Sequence, residues 1–584
     1  MSFFKRIYRR YQPHCDDVTL NWLKESNIVF GPTTRNLLSI FEKHDKGTGK
    51  LDRKSLNEAL NGLDLYPTKT QVYEMVKVGS ECSHRKPEDH VTFGEFCIFA
   101  TELIEQYEEH KLACLSSEDT SYAYTQPPAR PPFLSYMSSF QVFLGGSCNP
   151  TTWRRDIAIP LLKQYGLTYY NPQVEEWDPH LIEVEEQAKQ LAQLLLFVID
   201  NTTRSAASLV EAAYLAGNGR QVILVIKGIP EEVAGEILTQ ASTSQTPVTH
   251  SDYDSQCELS DLTRAHHFLV DLVQRQCLPI FDDIETAVHC AAKVINQGIP
   301  ISALDLKDGA QPVRYPNVRV GQKLINTKCA FKEFHQKDVS KISIRDSLLA
   351  LKSLHHKDFS FPAYWQIEES SRFKHEDEKY FDFNEFCCLA TEYRNYEQPM
   401  HPFARIYSML QGSLNGVMSR WSRQSQPCVP VLKRDVYLGG TCRNTTWREE
   451  ITIPLLRNNG LSSFNPQLTE WDLRYIAIEA EAKENSEYML YVIGNSSRGI
   501  ASMVEVAYYV GQCRKLVLCV QNLQYGLKIE GEQLTDRAIT DYNRARQYLV
   551  DVVSRCGIPI LDDIATATVS LIEKIQAERA LKSQ

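Results

Sequence analysis

The chain has 584 residues, with 63 Lys and Arg against 73 Asp and Glu, and a formal charge of −10. That is several times one typical core of about 100 to 150 residues, so more than one domain is required. With 43% hydrophobic and 23% charged residues it has globular composition, which excludes wholesale disorder, collagen and coiled coil. The acidic balance supplies no diffuse field for a phosphate backbone, so nucleic acid is excluded as an expected partner.

The longest apolar runs, such as Leu194 to Ile199 and Val222 to Ile226, fall far short of the roughly 18 residues that span a bilayer. The amino terminus lacks the apolar stretch and small-residue cleavage site of a secretory signal. A cytoplasmic protein with no membrane partner is expected. Its sixteen cysteines are dispersed, with no CxxC and no Cys/His spacing of a zinc site, and read as reduced, mostly buried thiols.

In chain order, Phe41 to Leu56 reads as a loop between two helices, and Val91 to Phe96 as the closing half of a second loop. The pair resembles EF-hands in shape more than in chemistry. A competent calcium loop needs oxygen ligands at positions 1, 3 and 5 and a bidentate Glu at 12. The first loop is one residue short and ends in Ser55. Counting back from Glu95, positions 1, 3 and 5 hold His84, Lys86 and Glu88; back from Glu385 they hold Lys374, Glu376 and Glu378. A basic residue at position 1 opposes a hard dication. The expectation is a paired helical scaffold without cofactor, with weak calcium binding at Glu95 or Glu385 as the alternative.

Thr125 to Pro132 (TQPPARPP) marks a linker. Beyond it, Gln141 to Leu144 is a short apolar run ending in Gly145-Gly146-Ser147, followed by an amphipathic stretch from Thr151 to Gln164. This predicts strand, glycine loop and helix. Strands at Leu167 to Asn171, Leu194 to Ile199 and Gln221 to Ile226 alternate with helical patterns at Leu181 to Gln193 and Ala206 to Ala216. Such alternation predicts a parallel sheet with helices on both faces, its ligands beyond the carboxyl ends of the strands. The polar stretch Thr239 to Ser260 reads as a disordered surface insertion.

Phe143-Leu-Gly-Gly-Ser-Cys-Asn-Pro-Thr-Thr-Trp153-Arg returns as Tyr437-Leu-Gly-Gly-Thr-Cys-Arg-Asn-Thr-Thr-Trp447-Arg. The register holds without a gap through Asn171/Asn465, Trp177/Trp471 and Glu211/Glu505, with about half the positions identical over roughly 75 residues. Phe93-Gly-Glu95-Phe-Cys97 likewise returns as Phe383-Asn-Glu385-Phe-Cys387, so the chain is a duplication, A-B-A′-B′. The fold class is α/β plus α: two Rossmann-like or flavodoxin-like parallel-sheet domains, each preceded by a degenerate EF-hand-like helical module. The segments are 30–112 (helical), 113–136 (linker), 137–298 (α/β), 320–400 (helical), 401–433 (linker) and 434–578 (α/β).

Glu211 stands at about the second turn of a helix otherwise built of Ala, Leu, Val and Tyr214, where a carboxylate is costly to bury without a partner. Glu505 repeats it in Ser502-Met-Val-Glu505-Val-Ala-Tyr508. A solvated helix Glu is the plain reading. The early strand with a glycine turn and the helix-borne Glu-x-x-Tyr resemble the nucleoside 2-deoxyribosyltransferase-like family, in a pattern closer to its animal branch than to its bacterial enzymes. The resemblance implies that Glu211 and Glu505 are nucleophiles attacking the anomeric carbon of a nucleoside or nucleotide, forming a glycosyl-enzyme that a second base or water resolves. It implies substrate contacts at Gly145, Gly146, Ser147, Asn171 and Ser205, and at Gly439, Gly440, Thr441 and Asn465. The family's base-holding Asp at the start of the third strand is absent, the region reading Ala192-Gln193 and Ser486-Glu487. Trp153 and Trp177 read as packing residues, and Arg154/Arg448 and Arg204/Arg498 as surface charges or anion contacts.

The expected function is N-glycosidic bond hydrolysis or deoxyribosyl transfer on a small nucleoside or nucleotide, with Glu211 favoured because its copy keeps Ser205 where the other has Gly499. The fused pair is expected to form an intramolecular pseudo-dimer. The alternative is a non-catalytic regulator that binds a nucleotide or a protein partner on the same fold, under calcium control.

Overall fold

The computed structural model describes residues 32–83, 85, 90–116, 140–174, 181–227, 256–314, 316–334, 341–343, 346–347, 350–351, 354, 380–396, 433–442, 445–467 and 475–582. The expectations for His84, Lys86, Glu88, Lys374, Glu376, Glu378, Trp177 and Trp471, and for most of both linkers, lie outside these residues.

In chain order the elements are α1 (Pro32–His44), β1 (Lys50–Asp52), α2 (Arg53–Asn61), α3 (Lys69–Cys82), β2 (His90–Thr92) and α4 (Phe93–Ser116). The first α/β segment gives β3 (Val142–Gly146), α5 (Ile159–Gln164), β4 (Tyr169–Tyr170), α6 (Leu181–Leu191), β5 (Leu194–Asp200), α7 (Ala206–Gly217), β6 (Val222–Lys227), α8 (Gln256–Gln274), β7 (Ile280–Phe281) and α9 (Ile284–Gln297). Then come α10 (Gln322–Glu333), β8 (Ile342–Ser343), β9 (Tyr380–Phe381) and α11 (Phe383–Tyr396). The second α/β segment gives β10 (Arg434–Gly440), α12 (Ile453–Asn458), β11 (Ser463–Phe464), α13 (Tyr475–Glu484), β12 (Ser486–Ile493), α14 (Ile500–Gly511), β13 (Leu516–Val520), β14 (Lys528–Ile529), β15 (Glu532–Gln533), α15 (Asp536–Arg555), β16 (Ile560–Leu561) and α16 (Ile564–Lys582).

These elements gather into two compact units, one holding the helical segments and the other the two α/β segments. In the helical unit β1 and β2 pair antiparallel, Leu51 opposite Val91, and β8 pairs with β9. The two helical segments cap each other's helices. Glu392 accepts from Thr34 N at 2.5 Å and Thr34 Oγ1 at 2.8 Å, and Glu102 from Gly321 N at 2.7 Å and Lys323 N at 2.9 Å. Each carboxylate thereby satisfies amide donors that a first helical turn leaves open.

In the α/β unit each segment forms a five-stranded sheet whose described pairings are all parallel. The order β4-β3-β5-β6-β7, repeated as β11-β10-β12-β13-β16, is that of a doubly wound sheet, with its switch point between the first and third strands. Alternate strand residues face opposite sides. Val436 and Leu438 pack with Leu456, Leu571 and Ile575 under α12 and α16, while Tyr437 faces Glu479 and Lys483 on α13.

The amphipathic stretch after the first strand differs from a plain helix. It opens with a widened turn, Arg154–Ala158, in which Ile159 N donates to Arg154 O, before α5 begins. Pro160 has no N–H to offer the carbonyl four residues back, and Pro454 repeats the arrangement in the second segment. The insertion also ends sooner than expected. Its last residues belong to α8, and Glu258 is fully buried.

The α/β segments meet through α7, α8, α14 and α15. Gly217 and Gly511 let α7 and α14 touch: a Cβ on Gly217 would stand 2.2 Å from Tyr508 O, and one on Gly511 2.5 Å from Tyr214 O. The described cysteines are free thiols, but burial is not their rule. Cys82, Cys97, Cys290, Cys387, Cys388 and Cys519 are buried, whereas Cys148, Cys329, Cys513 and Cys556 are exposed. Among the described residues no helix is long and apolar enough to cross a membrane.

Candidate functional site

The glycine pair at the end of β3 is set by packing. A Cβ on Gly145 would lie 2.4 Å from the Phe197 ring, and Gly146, at φ +105°, would bring one within 2.1 Å of Val198 O. Gly439 and Gly440 repeat both constraints against Tyr491 and Val492. These glycines let β3 and β5, or β10 and β12, lie flat at the switch point. Ser147 follows them, buried, with its Oγ accepting from Asp200 N at 2.8 Å and lying 2.5 Å from Ser205 Oγ. Thr203 Oγ1 joins at 3.0 Å from Ser147 Oγ and 2.6 Å from Ser205 Oγ. Three hydroxyls thus close the gap between the first and third strands. Ser205 holds a left-handed φ of 46° just before α7. The second segment relaxes that position to Gly499 and keeps one hydroxyl contact, Thr441 Oγ1 to Ser497 Oγ at 3.0 Å.

The arginines are neither surface charges nor free anion contacts. Arg154 is buried and donates to the carbonyls of Leu144 at 3.0 Å, Ser147 at 2.6 Å and Gly146 at 3.2 Å, while Trp153 Nε1 also donates to Ser147 O. Arg448 and Trp447 repeat this bracing. Arg204 and Arg498 clamp the two segments. Arg204 pairs with Glu258 at 2.7 Å and Asp541 at 3.4 Å, and Arg498 with Asp261 at 3.0 Å and Glu532 at 3.2 Å. Spent on carbonyls and carboxylates, all four are structural. Asn171 is exposed, its Oδ1 accepting from Gln173 N at 3.1 Å; Asn465 Nδ2 donates to Glu449 Oε1 at 2.8 Å.

Glu211 is not a solvated helix residue: it is 8% exposed. Its partner is Lys189 on α6, fully buried, whose ammonium is ion-paired to Glu211 Oε1. Tyr548, from α15 of the second segment, donates to the same Oε1 at 3.0 Å, and Lys189 Nζ donates to Tyr548 Oη at 2.8 Å. Both donors converge on Oε1; Oε2 receives no hydrogen bond from any described residue. Burial alone would push the Lys189 ammonium down, but Glu211, Tyr548 and Glu186 outweigh it and hold it above the ordinary lysine range.

Glu185, one helical turn before Lys189, shares its face of α6. Burial and the Glu211 charge push its carboxyl up to about 7, against Lys189 and Arg154. The thiol of Cys148, exposed yet raised by desolvation, also feels Arg154, Glu185, Glu211 and Arg544.

The second segment has the same skeleton with different chemistry. Lys483 pairs with Glu505 and, at 3.2 Å, with Glu479, and Tyr437 Oη donates to Glu479 Oε2 at 3.2 Å. Burial raises the Glu505 carboxyl, with Lys483 pulling against it. Phe268 and Tyr548 stand at equal distances before the repeated Ile-x-Asp-Asp-Ile at Ile280 and Ile560, so they correspond. The Phe268 ring centroid lies 5.8 Å from Lys483 Nζ. Each lysine is thus approached by an aromatic side chain of the opposite segment, and only in the first does that side chain carry a hydroxyl to the carboxylate.

Lys189, Glu185 and Tyr548 were missed in the sequence. The recurrence Glu185-x-x-x-Lys189 and Glu479-x-x-x-Lys483 was the available signal. For Tyr548 there was none, because its counterpart is Phe268.

In the helical unit Glu95 is taken by protein donors. Its oxygens accept from Arg85 Nη2 at 2.8 and 3.1 Å, Ser83 Oγ at 2.5 Å and Thr92 N at 2.9 Å. Glu385 Oε2 accepts from Asp382 N at 2.9 Å. Among the described residues no group of three or more His, Cys, Asp or Glu side chains is placed to hold a metal ion.

Residues 139–229 and 433–523 both match the family model described as nucleoside 2-deoxyribosyltransferase like. The likeness to that family thus falls once in each α/β segment. No curated protein and no solved structure matches it. The matched stretches contain Lys189, Glu211, Lys483 and Glu505 but end before Phe268 and Tyr548.

Proposed function

We propose that the first α/β domain cleaves the N-glycosidic bond of a nucleoside or nucleotide, by hydrolysis or deoxyribosyl transfer, with Glu211 as nucleophile. The observation that carries this reading is the Glu211 carboxylate itself: buried beside the switch point, held through Oε1 by Lys189 and Tyr548, with Oε2 left undonated. A nucleophile fixed by one oxygen presents the other in a constant direction, which is what positioning contributes to rate. Ser147, Ser205 and Asn171, around the same strand ends, are the proposed contacts for sugar or phosphate; Gly145 and Gly146 shape the wall beside them. Because Tyr548 and Arg544 come from the other domain, the fused pair acts as an intramolecular pseudo-dimer in this reading.

Glu505, with Gly439, Gly440, Thr441 and Asn465 around it, is the corresponding proposal for the second domain. One observation favours a non-catalytic role there: Lys483 bridges both carboxylates and Tyr437 occupies Glu479, so the polar groups are spent on one another. The second domain then serves as a nucleotide-binding or structural half that supplies Tyr548. The helical modules are read as EF-hand-like scaffolds that work without calcium, since the Arg85 guanidinium sits on Glu95 where a dication would.

The test is to incubate the full chain, Glu211→Ala and Glu505→Ala with deoxynucleosides and their 5′-monophosphates, and to follow free base by chromatography. Release by the parent and Glu505→Ala, lost in Glu211→Ala, supports the reading. No release, with a thermal shift from one nucleotide, replaces it with a ligand sensor.

A further inference from the structure

Helices α8 and α15 correspond residue for residue, from Asp261/Asp541 through Arg264/Arg544 to Phe268/Tyr548, yet His266 stands where the second domain has Arg546. Arg546 is fully buried, and its guanidinium gathers the ends of two strands. Its Nε donates to Gln521 O at 3.0 Å just beyond β13, and its Nη2 to Gly494 O at 3.2 Å and Ser497 O at 2.9 Å in the loop after β12. Burial pulls the guanidinium down to about 10, where it is still a cation at neutral pH. In the first domain the matching carbonyls belong to Lys227, Asp200 and Thr203. Asp200 and Lys227 pair at the ends of β5 and β6, and Thr203 N donates to Asp200 O at 3.2 Å, so the strand ends and the turn that carry these carbonyls are kept. The cation is not. His266 is 5% exposed, and neither ring nitrogen meets a hydrogen-bond partner among the described residues. Burial, with the His267 charge, pulls its imidazole down to about 3, so it is neutral at physiological pH. A buried imidazole with both nitrogens idle marks a place where a polar partner belongs.

We infer that the first domain binds a small monovalent cation behind the loop 200–205, at the carbonyl oxygens of Asp200, Thr203 and Lys227, in the place that the Arg546 guanidinium fills in the second domain. Backbone carbonyls replace the hydration shell of such an ion without supplying charge, and the second domain shows that this group of oxygens holds one positive charge. A histidine side chain is shorter than an arginine's, so the oxygens that the guanidinium spans are left to the ion, and a ring nitrogen joins them as a neutral acceptor. Hard dications call for carboxylate ligands, whereas Asp200 turns its Oδ1 to Thr202 N at 2.9 Å and Thr202 Oγ1 at 2.7 Å. Arg204, next to Thr203, is spent on Glu258 and Asp541. Asp200, Thr203 and Lys227 are half-buried, which gives the ion a path from solvent. The loop ends at Ser205, held at a left-handed φ of 46° where the second domain has Gly499. A Cβ on Gly499 would stand 3.7 Å from Arg546 Nη2. The ion therefore sits beneath the residue whose hydroxyl joins Ser147 and Thr203, and it ties that hydroxyl cluster to β6.

The experiment follows the melting temperature of the full-length parent, His266→Arg and Arg546→His in potassium, sodium, ammonium or tetramethylammonium chloride at one ionic strength, the last ion being too large for the site. The parent should melt about 2 °C or more higher in at least one of the small cations than in tetramethylammonium. His266→Arg supplies the charge from the chain itself, so it should melt above the parent in tetramethylammonium and lose the difference between salts. A parent that melts alike in all four salts holds water alone in this place, and overturns the inference. So does a His266→Arg variant that keeps the parent's salt preference, because the ion then binds elsewhere. Should His266→Arg fail to fold, Arg546→His decides. It recreates the arrangement in the second domain and is expected to gain more from the small cations than the parent does; an equal or absent gain overturns the inference.

Discussion

Tyr548 and Glu211, 337 residues apart, meet with Oη 3.0 Å from Oε1. The hydroxyl comes from the second half of the duplication, and the residue matching it in the first half, Phe268, brings no hydroxyl to Glu505. Burial, reinforced by the Glu211 charge, holds the Tyr548 phenol well above its ordinary range, so it remains a donor. At this contact the two halves of the duplication differ by one hydroxyl group.

Tyr548→Phe should weaken the first site without opening the fold. One hydrogen bond to a charged group is lost, about 1.5–3 kcal/mol, and base release should fall while the protein stays folded by circular dichroism. Phe268→Tyr should leave base release from the first domain unchanged.

Lys189→Met should be far more harmful. It strands the Glu211 carboxylate in a buried place, at a cost of about 3–5 kcal/mol. Lys189→Met combined with Glu211→Met should recover much of that loss in denaturant unfolding. A double variant as unstable as the sum of both singles would mean that the ion pair is not what holds these side chains.

Gly145→Ala should cost about 1–3 kcal/mol through overpacking, since the added carbon would meet the Phe197 ring at 2.4 Å. Gly145→Ala with Phe197→Val should be less unstable than the two singles added together, because neighbouring residues couple. Additivity in urea unfolding would remove packing as the reason for the glycine.

Glu185 gives the folded protein a pH dependence of known sign. Its folded pKa, about 7, lies above its ordinary value of 4.5, so the stability it contributes is present below about pH 4.5 and is lost as pH rises through 7. Glu185→Gln does not lose it. The variant should therefore gain on the parent between pH 5 and 8, by about 1 kcal/mol after allowing for the solvent that reaches this half-buried group. An equal difference at both pH values would contradict the shift.

Millimolar calcium should leave the melting temperature of the full chain unchanged, since Arg85 already neutralises Glu95. A rise reversed by chelator would restore calcium to the helical modules.

The strands and helices of the α/β domains were legible because burial on both faces writes continuous apolar runs, such as Leu194 to Ile199, between amphipathic segments. The position of the buried carboxylate was legible because Glu211 stands alone among apolar neighbours and recurs as Glu505. Its surroundings were not. Lys189 and Glu185 lie on a helix whose charged residues look like a solvated face, and only the fold turns that face toward α7. The Arg204 pairing was hidden because Glu258 falls within the polar stretch Thr239 to Ser260, which reads as an insertion although α8 already begins at Gln256. Tyr548 is joined to Glu211 by tertiary packing alone, which no local pattern records.

The claim at the centre of this account is a covalent bond between Glu211 and a sugar. Incubating the full chain with a 2′-fluoro-arabino nucleoside, which slows breakdown of the glycosyl-enzyme, and measuring its intact mass tests this directly. The account predicts one glycosyl adduct, mapped by peptide digestion to the segment holding Glu211 and absent in Glu211→Gln. No adduct on any concentration-matched nucleoside, or an adduct confined to the peptide holding Glu505, would contradict it.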